Sequence, residues 1–294
     1  MLVVPFCVFS QSGINNFLKP SDSLNVQRRN GVVIGQSALM GGTLLVLSEA
    51  WYKDYEKSGF HLYNDNIEWL QMDKVGHVFS GYQLSRASSE LLQWSGVSKK
   101  QSVLYGSASG FAFLTAVEVF DGFSSEWGFS YGDMIANFSG SVLYAGQELL
   151  WDEQRILLKF SFRTTSYASR RPNVLGSNLP EQILKDYNGQ TYWLSANVHL
   201  FFKDSKIPKW LNVALGYGAE GMITGQDDLV NMIFLPEQER YRQFYLSFDV
   251  DLTKIETNSH FLKTLFSVVN TIKIPAPTME FTSKGKSKFH TFYF

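Results

Sequence analysis

Three short patterns place polar groups in stretches that are otherwise apolar: Asp73-Lys74-x-x-His77, Glu118-x-x-Asp121 and Asp133-x-x-x-Asn137. Spacings of three or four put the members of each pattern on one face of a helix. If those faces converge, they assemble one imidazole, one ammonium and up to four carboxylates. Helix-borne carboxylate and histidine ligands of this kind bind divalent metals, so His77, Asp73, Glu118, Asp121 and Asp133 are candidate ligands. Clustered carboxyls also push one another's pKa values apart, which suits general acid-base chemistry. On that reading the candidate catalytic residues are Asp73, Lys74, His77, Glu118, Asp121, Asp133 and Asn137. Each has a structural alternative. Asp73 is placed to cap a helix, and Ser130-Tyr-Gly-Asp133 fits a capping box. Lys74 is placed to neutralise Glu118 or Asp121, and His77 suits a satisfied core position. No Ser-His-Asp order, phosphate-binding loop or helical zinc motif is legible.

The elements that must position these groups differ between the two halves of the chain. Periodicity predicts helices at about 31–48, 71–94, 99–121 and 131–151, separated by Ser98-Lys99-Lys100 and Gly122-Phe-Ser-Ser-Glu-Trp-Gly128. Short connections between four helices predict a bundle. Gly31 to Ser48 is uncharged and rich in small residues, close to the roughly 20 apolar residues of a membrane span.

From residue 156 onward the pattern alternates with period two. Tyr192, Leu194, Ala196, Val198 and Leu200 oppose Trp193, Ser195, Asn197 and His199. Leu211, Val213, Leu215 and Tyr217 oppose Asn212, Ala214, Gly216 and Gly218. Phe244, Leu246, Phe248, Val250 and Leu252 oppose Tyr245, Ser247, Asp249 and Asp251, and Leu158 to Thr164 behaves alike. These segments approach the ten residues of a tilted membrane strand, with one apolar face and one polar or small face. Residues 254–272 read as an amphipathic helix between the last strands. The chain ends in Phe292-Tyr293-Phe294, resembling the C-terminal signal of bacterial outer-membrane barrels. About six strands are legible, whereas such single-chain barrels start at eight. Helices or a partner would have to complete the wall.

The totals agree with an envelope protein. Of 294 residues, 18% are charged and 15% aromatic, with 26 basic against 27 acidic side chains. A soluble domain averages roughly 25% charged. The near-zero balance gives no electrostatic case for nucleic acid, and the apolar content excludes disorder. A mean hydropathy of −0.10 argues against a conventional multi-span helical membrane protein. The lone Cys7 excludes a disulfide framework. It sits in an apolar run that looks like the end of a secretory signal, without the basic n-region. Pro5-Phe6 stands where small residues would precede a lipidated cysteine.

Asp73-Lys74-x-x-His77, Glu118-x-x-Asp121-Gly122 and Trp127-Gly-Phe-Ser-Tyr-Gly-Asp133-x-x-Ala-Asn137 together resemble the YfiM-like family of predicted periplasmic lipoproteins, over roughly residues 70–150. More distantly, the order of Asp-Lys-x-x-His, Glu and Asp-x-x-x-Asn is similar to VanZ-like membrane proteins. Lys185 to Leu194 and the terminal strands look like longer, barrel-bearing relatives found in Bacteroidetes. The resemblance implies an envelope location and transfers little function.

The expected fold class is α+β: a four-helix bundle-like module followed by antiparallel membrane-type strands, as a small outer-membrane barrel or a barrel-like sheet. The expected divisions are a signal-peptide remnant at 1–12, a helical module at 13–153 and a β region at 154–294. The expected function is a non-enzymatic structural or accessory protein of the outer membrane with periplasmic exposure. Its expected partners are membrane lipids and a larger outer-membrane complex. The alternative is a metal-dependent hydrolase or transferase acting on lipid or cell-wall material, with a divalent metal in the Asp/His/Glu cluster.

Overall fold

The computed structural model describes residues 13–48, 56–226 and 239–294. The expected signal remnant at 1–12, with Cys7, lies outside them. Asn25 Oδ1 accepts a hydrogen bond from Arg28 N at 3.0 Å and starts α1 (Val26–Leu47). This helix therefore begins five residues before the charge-free run that predicted it. α2 (Met72–Trp94), α3 (Lys99–Asp121) and α4 (Tyr131–Leu150) follow.

The helical core is made by three helices rather than four. Tyr82 of α2, Val103 of α3, Tyr144 of α4 and Leu158 of the first strand pack together. α2 and α4 meet backbone to backbone. A Cβ at Gly81 would lie 2.4 Å from the Asn137 carbonyl oxygen, and one at Gly140 2.0 Å from that of Val78. Small residues permit this approach, and nothing larger fits. α1 stands off the bundle. Val32 alone of its described residues is buried, and Leu39 and Leu45 are exposed. By length and composition both α1 and α3 are apolar enough to cross a membrane, though α3 packs one face on α2.

Six strands follow: β1 (Ile156–Phe162), β2 (Gln190–Asn197), β3 (Leu211–Glu220), β4 (Tyr241–Val250), β5 (Ala276–Thr282) and β6 (Ser287–Tyr293). They pair antiparallel in chain order, with Trp193 opposite Gly216, and Gly216 opposite Tyr245. In a flat sheet β2 and β6 would lie about 19 Å apart, at about 4.8 Å per strand. Instead the Trp193 and Tyr293 rings are 6.1 Å apart, and Tyr245 stacks on Tyr293 at 4.6 Å. The sheet is therefore strongly curled around its own side chains.

The sheet is barrel-like but does not close. β1 and β6 do not pair; instead, residues 271–273 bond to the outer edge of β1, through Phe160 N to Thr271 O and Lys273 N to Phe160 O, each 2.9 Å. Two expected strands end early. Asn197 Oδ1 caps a helical turn at Val198–Phe201, and Asp251 Oδ1 caps another at Leu252–Lys254. The helix expected over 254–272 is the shorter α5 (His260–Val269), started by Ser259.

The inner face of the sheet carries buried polar groups beside the Trp193, Tyr245 and Tyr293 rings, and the outer face is apolar. Lys159, Ser195, Asn212 and Asp249 are fully buried, and Lys159 Nζ lies 2.8 Å from Asp249 Oδ2. Leu194, Leu215, Phe244, Leu246 and Phe248 are exposed on the opposite face. The helices join the sheet through Phe79, whose ring lies 5.8 Å from Phe160 and 5.5 Å from Tyr192.

Candidate functional site

One end of the three-helix core gathers the polar groups. Asp73, Lys74 and His77 lie in the first two turns of α2. Asp133 and Asn137 lie in the first two turns of α4, which Ser130 Oγ starts by accepting from Asp133 N at 3.1 Å. Glu118 lies in the last turn of α3 and is buried.

The start of α2 is held under strain. Trp69, Leu70 and Gln71 take φ angles of 48°, 49° and 63°, a left-handed conformation that side chains with a Cβ disfavour. One local bond and three from distant elements hold them there. Trp69 N donates to Gly225 O at 2.8 Å, and Gln71 Nε2 donates to Asn66 O at 2.8 Å. Arg242 of β4 donates to Leu70 O at 2.8 Å, and the Tyr217 hydroxyl of β3 donates to the same oxygen. The sheet thus grips the residue pair that sets where Asp73 and Lys74 begin.

Lys74 Nζ sits among three carboxylates: Asp65 at 2.6 Å, Asp133 at 2.7 Å and Asp73 at 3.2 Å. Burial lowers its proton affinity, but Asp73 and Asp133 more than reverse this and keep it charged. Ser130 Oγ donates to Asp65 Oδ1 at 2.6 Å, and the Tyr187 hydroxyl donates to Asp73 Oδ1 at 2.6 Å.

His77 occupies the centre. Its Nδ1 donates to Asn137 Oδ1 at 2.9 Å, the amide oxygen fixing which nitrogen carries that proton. The opposite nitrogen, Nε2, faces Asp133 Oδ1 at 3.5 Å, Asp73 Oδ1 at 3.7 Å and Glu118 Oε1 at 3.8 Å. Burial pulls the imidazole pKa down, but Asp73, Asp133 and Glu118 outweigh it and push it up to about 9. Burial first, then its acidic neighbours Asp133 and Asp121, push Glu118 up to about 8 against the opposing effect of His77. Asp133 rises to about 7, through burial and then Asp73. Asp73 goes the other way: burial raises it, but His77, Lys74 and the Tyr187 bond together hold it below the usual carboxylate value.

Six of the seven candidates from the sequence therefore meet here: Asp73, Lys74, His77, Glu118, Asp133 and Asn137. Asp121, one turn beyond Glu118, acts on it through charge but is not among the carboxylates around His77. Asp73, His77 and Asp133 each offer a ligand atom within 4.8 Å of the others, a spacing that a metal ion can bridge. Two members were missed in the sequence. Asp65 comes from the polar stretch before α2, and Tyr187 from the loop before β2, 114 positions from its partner. Nothing in local spacing marks either of them.

Residues 59–145 match a family described as predicted periplasmic lipoprotein (DUF2279). Over those residues the chain is similar to that family, which supports a periplasmic envelope location. It spans every clustered residue except Tyr187 and stops before the sheet. Searches of the curated proteins and of the solved structures each found no match.

Proposed function

We propose that this chain is a non-enzymatic protein of the outer membrane with periplasmic exposure. Its curled sheet faces lipid, and its polar cluster locks the helical module to that sheet. The observation that carries this reading is the inverted sheet. Lys159, Asp249, Ser195 and Asn212 are buried, while Leu194, Leu215, Phe244, Leu246 and Phe248 are exposed. An antiparallel sheet packed in water does the reverse, burying its apolar face. A lipid-facing barrel wall has apolar residues outside and polar ones inside. The ten residues of β3 and of β4 suit a tilted membrane strand. Exposed Ile34, Leu39 and Leu45 on α1, and Ile135 and Phe138 on α4, extend the apolar exterior onto the helices. A patch of that extent fits lipid and a neighbouring subunit of a larger outer-membrane complex.

The test is where the exported protein goes. Cell envelopes are separated by density, washed with alkaline carbonate and run on gels with and without boiling. The expected outcome is recovery in the outer-membrane fraction, resistance to the wash and a shift between boiled and unboiled samples. Recovery as a soluble periplasmic protein overturns the reading.

The second reading is a metal-dependent hydrolase or transferase acting on lipid or cell-wall material. One observation favours it: the Asp73 and His77 side chains keep 22% and 20% of their surface exposed, so solvent reaches the cluster. Product release from envelope lipid or peptidoglycan by the wild type, and not by folded His77→Gln, is the outcome that supports it. Equal background from both discards it.

A further inference from the structure

We propose that Asp73, His77 and Asp133, with Glu118 beside them, bind one divalent transition-metal ion. His77 Nδ1 is committed to Asn137 Oδ1, so Nε2 is the nitrogen available as a ligand. It stands 3.5, 3.7 and 3.8 Å from oxygens of Asp133, Asp73 and Glu118. Those separations are long for hydrogen bonds. They suit ligands that share an ion, because atoms bound at about 2.0–2.2 Å from one centre lie about 3–4 Å from each other.

Asn137 holds the imidazole from its far side. The Asn137 side chain has no exposed surface, and its Nδ2 has no hydrogen-bond partner among the described residues. Buried amide donors left unpaired are destabilising. The amide nonetheless keeps its oxygen on the histidine, which is the outer-shell arrangement that orients a metal-binding imidazole. Tyr187 does the same for Asp73, through its 2.6 Å bond to Oδ1, and Lys74 for Asp133.

Charge points the same way. Asp65, Asp73, Glu118 and Asp133 are four carboxyls gathered around one ammonium, Lys74, and one imidazole, His77. Glu118 Oε1 faces His77 Nε2 at 3.8 Å, and its Oε2 accepts a 3.3 Å bond from Ser130 N. A doubly charged ion bound at Nε2 would pair with these oxygens in place of a proton. One imidazole with two or three carboxylates selects zinc, manganese or iron over calcium or magnesium, which prefer all-oxygen sites. The inference stands independently of the membrane reading, since a soluble protein could hold the same site.

The test uses the full chain, stripped with chelator and titrated with Zn²⁺ and with Mn²⁺ by calorimetry, with bound metal counted by mass spectrometry. The expected result is one ion per chain. His77→Gln should abolish stoichiometric binding, and Asp73→Asn should weaken it at least tenfold. Asn137→Ala, which removes no ligand, should weaken it about 10–100-fold with the circular dichroism spectrum unchanged. If the variants do not fold, Co²⁺ added to the wild type decides. Visible absorption bands of a nitrogen- and oxygen-ligated ion, lost on adding Zn²⁺, support the site. No saturable binding by the folded wild type, or equal binding by folded His77→Gln, overturns the proposal.

Discussion

Lys74 is the residue on which the cluster's charge balance turns. Its ammonium, with little exposed surface, lies within 3.2 Å of Asp65, Asp73 and Asp133. Removing one side of a buried ion pair leaves uncompensated charge, which costs about 3–5 kcal/mol. Lys74→Met should therefore destabilise the fold by that order in chemical unfolding. Asp65→Asn should cost much less, because Lys74 keeps two other carboxylates. Equal effects would mean that Asp65 is the principal partner.

The acid-base behaviour has a definite sign when metal is kept out by chelator. His77 has a folded pKa of about 9 against 6.5 in the open chain, so its contribution is full below about pH 6.5 and is lost as pH rises through 9. Glu118 and Asp133 are also raised, to about 8 and about 7. The folded state holds their protons where the unfolded state has released them, so stability again falls as pH climbs. All three groups act in one direction. The melting temperature should drop steadily from pH 6 to pH 9, and His77→Gln should flatten the upper part of that drop. A profile rising over this range would contradict the geometry around Nε2. The chemistry of these residues was legible in the sequence because spacings of three and four survive into any helix. Asp65 and Tyr187 were not legible, because loops bring them in across distances that periodicity does not encode.

At the scale of elements, the site exists because α2 and α4 touch. Gly81 and Gly140 bring Asn137 to His77, since a Cβ at either would fall within 2.4 Å of a carbonyl oxygen on the facing helix. Gly140→Ala should push the helices apart, destabilise the protein by about 1–3 kcal/mol or more and weaken the His77–Asn137 bond. Gly146, on the same helix, has nothing within 4 Å of its missing Cβ. There alanine should be neutral or stabilise by up to about 1 kcal/mol, through helix propensity alone. Thermal melts of the two variants make the comparison. A similar loss at both positions would show that propensity, not contact, sets the cost. The helix positions themselves were readable from the apolar period and its breaks. The strand ends were less so, because Asn197 and Asp251 continue the alternation while their side chains cap turns. That α1 stands outside the core was also hidden, since its small apolar residues suit packing and membrane contact equally.

At the scale of the whole molecule, water and lipid make opposite demands on the sheet, and one substitution separates them. Leu215 sits in the middle of β3, is 57% exposed and points away from the polar interior. In a protein dissolved in water, an exposed leucine changed to arginine shifts stability by no more than about 0.5 kcal/mol. On the lipid face of a membrane sheet, arginine costs about 2–4 kcal/mol at the bilayer centre and little near the interfaces. Leu215→Arg should therefore lower stability by about 2 kcal/mol or more when unfolding is followed in phospholipid vesicles. Lys209, outside the strand and exposed, supplies the comparison: Lys209→Ala should change little in the same vesicles. The inward neighbour Ala214 has no exposed surface and is flanked by Ser195 and Ser247. Ala214→Arg should fail in vesicles and in detergent alike, because it has no room rather than the wrong solvent. A loss at Leu215 confined to the bilayer assigns the outer face to lipid. Indifference at Leu215 in vesicles would instead leave that face to a protein partner.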